Sequence, residues 1–217
     1  MSLASPHALE WRQTGEPVLY EEALETMQTR VAAIQTNQAD ELIWLLEHPP
    51  LYTAGTSAKE SDLIDAADLP VYQTGRGGQF TYHGPGQRVA YVMLDLTKRG
   101  KDIRAFVQAL EQWVIDTLTL LHIKGERRDG RVGIWVETPF GDEKIAAIGV
   151  RVSKWISYHG IAINVAPNLS HFSGIIPCGL SQFGVTSLEK LGINLTLAEL
   201  DTLLKITWNQ NLLLAIR

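Results

Sequence analysis

Cys178 is the only cysteine among 217 residues, and it stands in the run Ile176-Pro177-Cys178-Gly179-Leu180. One thiol forms no internal disulfide, so its use lies in packing or in chemistry. Pro177 fixes a backbone angle on one side, and Gly179 removes a side chain on the other. That combination predicts a constrained turn with space beside the sulfur, a setting that suits a nucleophile. A thiolate attacks thioesters and exchanges their acyl groups. A free cysteine is also commonly a small buried hydrophobe, and the local sequence leaves both uses open.

Lys144 is the second chemical signal. The apolar content of Lys144 to Val152 predicts a strand. Alternation puts Lys144, Ala146, Ile148, Val150 and Val152 on one face, with Ile145, Ala147, Gly149, Arg151 and Ser153 on the other. The lysine thus heads the more apolar row, the one expected to face a core or pocket. Desolvation lowers an ammonium pKa, as a general base requires, and a lysine near a cysteine favours the thiolate. The alternative is a strand-end lysine that curls into solvent, kept charged by Asp142 and Glu143. Periodicity alone favours that alternative.

The third signal is Gly75 to Gln87, where five glycines and a proline fall within thirteen residues. Such a segment cannot be an element interior, and it lets backbone amides approach a ligand closely. Arg76, Thr81, Tyr82 and His83 add side-chain donors. No Gly-Lys-Ser/Thr follows, so it is not a P-loop, and the dinucleotide-binding glycine spacing is absent. A binding loop is expected in preference to a plain hairpin connection.

Other polar residues carry weaker signals. The histidines have no metal-ligand spacing, so no metal is expected. His159 begins a strand and is expected to be structural. His48 and Tyr52 flank Pro49-Pro50, within reach of a pocket, and His122 suits a helix C-terminus. No Gly-x-Ser-x-Gly elbow exists. Lys98, Arg99, Lys101 and Arg104 read as a solvated helix start, with docking of an acidic partner as the sharper alternative.

The elements that position these groups are mixed. An amphipathic helix is predicted from Pro17 to about Gln35, with apolar residues recurring at helical spacing from Leu19 to Ile34. Leu42 to Leu46 reads as a buried strand ended by two prolines, Thr53 to Pro70 as loop with a helical turn, and Val71 to Gln73 as a short strand. Strands follow at Val89 to Leu96, Gly133 to Glu137, Lys144 to Val152 and Tyr158 to Val165, the last two forming a hairpin that turns near Ser153 to Ile156. Asp102 is a candidate N-cap for a helix over Ile103 to His122. Ser187 or Thr196 is a candidate cap for closing helices, with Leu197 to about Leu213 helical. The pattern is α+β, one mainly antiparallel sheet covered by helices. With 45% hydrophobic and 20% charged residues, the length supports one sizeable core and is short for two. A net charge of −5 argues against wholesale nucleic-acid binding. No run reads as a membrane span or secretion signal, so a reducing cytosol is expected.

Five stretches in order resemble the lipoyl(octanoyl) transferases: Glu47 to Gly55, Arg76 to Gln87, Lys144 to Arg151, His159 to Asn164, and Pro177-Cys178-Gly179. The long Arg-Gly-Gly to Gly-Pro-Gly-Gln run is the most specific of them. The resemblance spans roughly residues 20 to 190 and no departure from the pattern is evident; the tail carries no signature. It implies a single catalytic domain over 1–217 with the biotin/lipoate protein ligase fold, and a Cys/Lys dyad that falls on Cys178 and Lys144. It implies acyl transfer from octanoyl-acyl carrier protein, through a Cys178 thioester, to a lysine of lipoyl domains in 2-oxoacid dehydrogenase complexes and the glycine cleavage H protein. Neither cofactor nor metal is implied, and a cytoplasmic monomer is expected. Substrate-binding residues are expected at Arg76, Gly77, Gly78, Gln79, Phe80, Thr81, Tyr82 and His83. Ala146, Ala147, Ile148 and Gly149, with His159, Gly160, Ile161 and Ala162, complete the set. Amides at Gly77, Gly78, Gly84 or Cys178-Gly179 are alternatives for holding an oxyanion. The rivals are an ATP-dependent lipoate or biotin protein ligase, a binding module without turnover, and a cysteine amidotransferase that uses acyl groups already on protein.

Overall fold

Strands β2 (Glu41–Leu46), β6 (Gln87–Met93) and β10 (Ile156–Asn164) are buried at every position. Strands like these need cover on both faces, and the fold of this computed structural model provides it. The structure describes residues 9–66, 68–176 and 183–208. The main sheet also contains β1 (Leu9–Gln13), β7 (Glu126–Arg128), β8 (Arg131–Thr138) and β9 (Gly141–Ser153), in the order β1-β2-β6-β10-β9-β8-β7. Its central pairs are antiparallel, and β1 joins β2 in parallel. A two-residue strand, β11 (Gly184–Val185), pairs with Glu143 and Lys144 of β9 just beyond the last β10 pair, Ile163 with Ala146. A second sheet of three strands has the order β4 (Val71–Gln73), β3 (Leu51–Ala54), β5 (Phe80–His83).

Alternation sorts the side chains. On one face Ile43, Leu45, Ala90, Val92, Ile134, Ala146, Ile161 and Ile163 pack with Phe106, Leu110, Trp113 and Leu118 of α2 (Ile103–Leu120) and Leu200 and Leu204 of α3 (Leu197–Thr207). On the other, Leu42, Trp44, Leu46, Val89, Tyr91 and Met93 meet Ala23, Met27, Val31 and Ile34 of α1 (Tyr20–Gln35). The small sheet has its own apolar cluster of Tyr52, Ala54, Phe80, Tyr82, Phe172 and Ile175.

Capping residues behave as the sequence predicts. The Asp102 carboxylate accepts from the Ala105 amide at 3.0 Å, and Thr196 forms a reciprocal capping box with Glu199. The β9–β10 turn falls on Lys154 and Trp155, both at positive φ (48° and 69°), the geometry that tight hairpins need. Two expectations fail: Thr53 and Ala54 are strand, not loop, and the glycine-rich segment expected to hold no element contains β5, Phe80–His83. The apolar run resumes directly after Pro50 because β3 is bonded on both sides, by β4 and β5. The predicted helix beyond Trp208 lies outside the described residues. No helix among the described residues is long and apolar enough to cross a membrane.

A buried ion pair ties α3 to the sheet. Arg88 Nε of β6 lies 2.8 Å from Asp201 Oδ1, and Gln13 donates to Asp201 Oδ2 at 2.7 Å. Burial pushes the Asp201 carboxyl up, and Arg88 and Gln13 oppose that shift. Removing one partner leaves a buried charge alone. Asp201→Ala should therefore cost about 3–5 kcal/mol in chemical denaturation, and replacing both by apolar side chains (Arg88→Met with Asp201→Leu) should cost far less.

Candidate active site

Lys144 reaches its position through a break in strand alternation. Ile134 of β8 opposes Ala146 of β9, yet the next residue, Trp135, opposes Lys144. One step on β8 thus matches two on β9, and Ile145 is the extra residue of a β-bulge. Ile145 and Ala146 both turn into the helix-packed core. Lys144 is released to the opposite face, where it joins Ala147 and Gly149 in lining a pocket. The expected grouping of Lys144 with Ala146, Ile148 and Val150 is therefore corrected: the lysine belongs to the other row. Its side chain is buried, at 6% exposure. Nζ donates to the Val132 carbonyl at 2.9 Å and lies 5.0 Å from the centre of the Trp135 ring.

The pocket runs over the sheet from Lys144. Its floor carries Ala147 and Gly149 of β9, Gly160, Ile161 and Ala162 of β10, and Val89 and Tyr91 of β6. Small side chains leave the volume, and α1 covers only the neighbouring part of this face. The glycine-rich segment forms the roof. A Cβ on Gly149 would lie 2.9 Å from the Gly77 carbonyl oxygen and 3.1 Å from Arg76 Cδ, so only glycine lets the loop come this close. The Gly77 amide donates to the Val150 carbonyl at 2.9 Å, which fastens loop to strand. Arg76 is clamped from inside: Nη2 donates to the Thr53 carbonyl, the Thr53 hydroxyl and the Gln79 carbonyl at 2.7–2.9 Å.

A buried polar chain backs this roof. Gln87 Nε2 donates to the Tyr82 carbonyl and to Asn164 Oδ1, so its oxygen must face His83 Nδ1, 2.7 Å away. His83 is thereby protonated on Nδ1, and its Nε2 accepts from the Thr53 hydroxyl at 3.3 Å. Asn164 Nδ2 donates to the Thr186 carbonyl, and the Thr186 amide donates to the Lys144 carbonyl at 2.9 Å. The roof is thus connected to the backbone of Lys144. His48 donates from Nδ1 to the Val18 carbonyl and accepts from the Tyr91 hydroxyl. His159 has φ of 58°, and its Nε2 has no hydrogen-bond partner among the described residues.

Burial keeps all three histidines neutral. It lowers His48 to about 4 and His159 to about 3, with Arg76 and Arg151 adding to the latter shift. His83 falls well below the usual range, through burial first, with the Arg76 charge adding to the shift. No group of side chains among the described residues could hold a metal ion.

Arg76, Gly78 and Gln79 of the loop and Phe80, Thr81 and His83 of β5 line the pocket, as do Ile148 and His159. Gly77 and Tyr82 do not. Gly77 supplies backbone contacts above Gly149, and Tyr82 points to the far side of the small sheet, packed on Tyr52 and Phe172. Ala146 lies in the helix-packed core. Tyr20, Thr53, Gln87, Val89, Tyr91, Val132, Asn164, Phe172 and Val185 also line the pocket and were not expected from sequence. Gln87 and Asn164 close two of the motif stretches, which was the available signal. Cys178 lies outside the described residues. Two residues of the basic cluster have partners here: Arg99 holds Glu41 through two bonds of 2.6 and 2.7 Å, and Lys98 pairs with Asp95 at 3.6 Å, while Lys101 and Arg104 are exposed. Asp95 bridges Ile156, the end of β10 remote from Lys144, so the strand separates cluster and lysine by about 25 Å.

The neutral histidines have a stability consequence. In the unfolded chain they protonate near 6.5, whereas His48 holds out to about 4. Between those values the unfolded state binds more protons, so stability falls as pH falls. Each such histidine contributes up to about 1.4 kcal/mol per pH unit in that window. Denaturation curves at pH 7 and pH 5 should show the loss, with a smaller loss for His48→Asn.

Residues 19–207 match the family described as lipoyl protein ligase A/B catalytic domain. An octanoyltransferase of Parvibaculum lavamentivorans is 60% identical over 205 residues, covering 93% of this chain and 91% of that protein. Among solved structures, a bipartite lipoate protein ligase from Thermoplasma acidophilum superposes with a TM-score of 0.70 at 15% identity, over 94% of this chain and 84% of that one. A biotin protein ligase from Aquifex aeolicus gives a TM-score of 0.55 at 15% identity, over 94% and 69%. These two likenesses concern the fold, which is that of the lipoate and biotin protein ligases. The matched catalytic-domain family and the 60% identity together place the chain in the octanoyltransferase family.

Proposed function

We propose that this protein transfers an octanoyl group from octanoyl-acyl carrier protein to the ε-amine of a lysine on a lipoyl domain, through a thioester on Cys178. The observation that carries the reading is Lys144. It is a buried lysine lining a largely apolar pocket, paired in the sheet with Val185, seven residues after Cys178 in sequence. In the first half, Lys144 accepts the thiol proton and the Cys178 thiolate attacks the thioester carbonyl carbon. The tetrahedral centre collapses and the carrier thiolate leaves, taking the proton back from Lys144, which is then able to accept another. In the second half, the lipoyl-domain amine attacks the acyl-enzyme carbonyl. Lys144 accepts the proton released as nitrogen becomes an amide, and the Cys178 thiolate leaves.

Exchanging one thioester for another is close to neutral, and amide formation is downhill, so the reaction needs no ATP. The octanoyl chain lies over Ala147, Gly149, Gly160 and Ala162, beneath the loop from Arg76 to Thr81. An enclosed apolar pocket excludes the water that would hydrolyse the intermediate. The chain acts as one catalytic domain in the cytosol, where reducing conditions keep the thiol available.

The two roles separate experimentally. Cys178→Ser should abolish acyl-enzyme formation; unchanged turnover would eliminate the covalent route. Lys144→Arg keeps the charge but not the basicity. It should lower kcat by about 100-fold or more, the usual scale of general acid–base catalysis, in single-turnover assays of each half-reaction. Near-normal transfer by this variant would exclude Lys144 as the base.

A further inference from the structure

The Lys144 side chain occupies space that a neighbouring residue leaves empty. Gly133 of β8 follows Val132, whose carbonyl accepts from Nζ, and stands two residues before Trp135, where the register shifts. Its φ is +115°, a conformation that L side chains rarely adopt. Space is restricted as well. A Cβ on Gly133 would lie 2.6 Å from the Ala146 carbonyl oxygen, 3.1 Å from Lys144 Cε and 3.2 Å from Lys144 Nζ. Two other glycines at the ends of the same hairpins have positive φ, Gly130 at +70° and Gly141 at +101°, yet a Cβ on either would meet nothing within 4 Å. A positive φ is therefore common to all three, while contact with the Ala146 carbonyl and with the lysine belongs to Gly133.

We propose that Gly133 is a positioning residue for Lys144. The absent side chain vacates the volume that Cε and Nζ fill, and the unusual backbone angle lies beside the carbonyl that holds Nζ. A methyl group there presses on Cε and Nζ, which must give by a few tenths of an ångström. Proton transfer depends steeply on such placement. The inference rests on the proposed role of Lys144 in proton transfer.

The test uses the full chain with Gly133→Ala, Gly130→Ala, Gly141→Ala, Lys144→Ala and the double variant Gly133→Ala with Lys144→Ala. Steady-state transfer and thermal melting are measured for each. Gly133→Ala should lose about 10-fold or more in kcat, with KM for the octanoyl carrier within about two-fold of wild type. Gly130→Ala and Gly141→Ala should keep both constants within about two-fold. In melting, the deficit of Gly133→Ala should shrink when Lys144→Ala is added, because the two sites are in contact. A kcat for Gly133→Ala like that of the two control glycines, or additive melting shifts, would overturn the proposal. If Gly133→Ala does not fold, the double variant decides. A folded double variant supports a clash with the lysine, and an unfolded one assigns Gly133 to backbone geometry alone and overturns the proposal. Lys144→Ala reports separately: near-normal kcat in that variant would remove the catalytic role of the lysine, while the melting comparison still tests the contact.

Discussion

One extra residue in β9 decides where an ammonium group can sit. With unbroken alternation Lys144 would share the side of Ala146, which packs against α2 and α3. There the charge would be stripped of water among aliphatic and aromatic side chains, at a cost of several kcal/mol. The bulge at Ile145 spends one residue to reverse the direction of everything before it. Ile145 and Ala146 both enter the core, and Lys144 emerges onto the pocket face opposite Trp135. The helix-packed core and the pocket can therefore both be satisfied along one continuous strand.

The rest of the pocket follows from the same sheet face. α1 supplies apolar cover near β2 and β6, while Ala147, Gly149, Gly160 and Ala162 leave a channel that a single loop can roof. The roof is held by neutral hydrogen bonds running from Thr53 through His83, Gln87 and Asn164 to Thr186. Both Gln87 amide hydrogens have acceptors, so the Gln87 orientation and the His83 tautomer follow from the network. Neutral histidines around Arg76 keep the interior poor in titrating groups near neutral pH. A reaction that exchanges thioesters and ends in an amide asks for little more: an oriented acyl chain, few waters, and one group able to move a proton.

Much of this was legible before the structure. Asp102 and Thr196 announced their helices because capping is local chemistry. The glycines of the Gly75–Gln87 run announced close contact with something, but they concealed the strand Phe80–His83 within it. The strand from Lys144 was legible, but its facing was not, since a bulge leaves no trace in an apolar sequence. Only the register against β8 shows which residue is extra. Tyr82 was misplaced for a related reason. Alternation along Phe80–His83 sends Thr81 and His83 one way and Tyr82 the other, and sequence alone does not say which side holds the pocket. Val89 and Tyr91 lie on β6 just past the motif stretch that ends at Gln87 and meet the site through the pairing of β6 with β10, whereas Tyr20 comes from α1.

The most direct measurement is the intact mass of the protein mixed with octanoyl-acyl carrier protein in the absence of ATP, followed by peptide mapping. An octanoyl adduct on the Cys178 peptide that disappears as a lipoyl domain gains the same mass on lysine is the expected result. An unmodified enzyme, with transfer only when free octanoate and ATP are supplied, would contradict direct thioester-to-amide transfer.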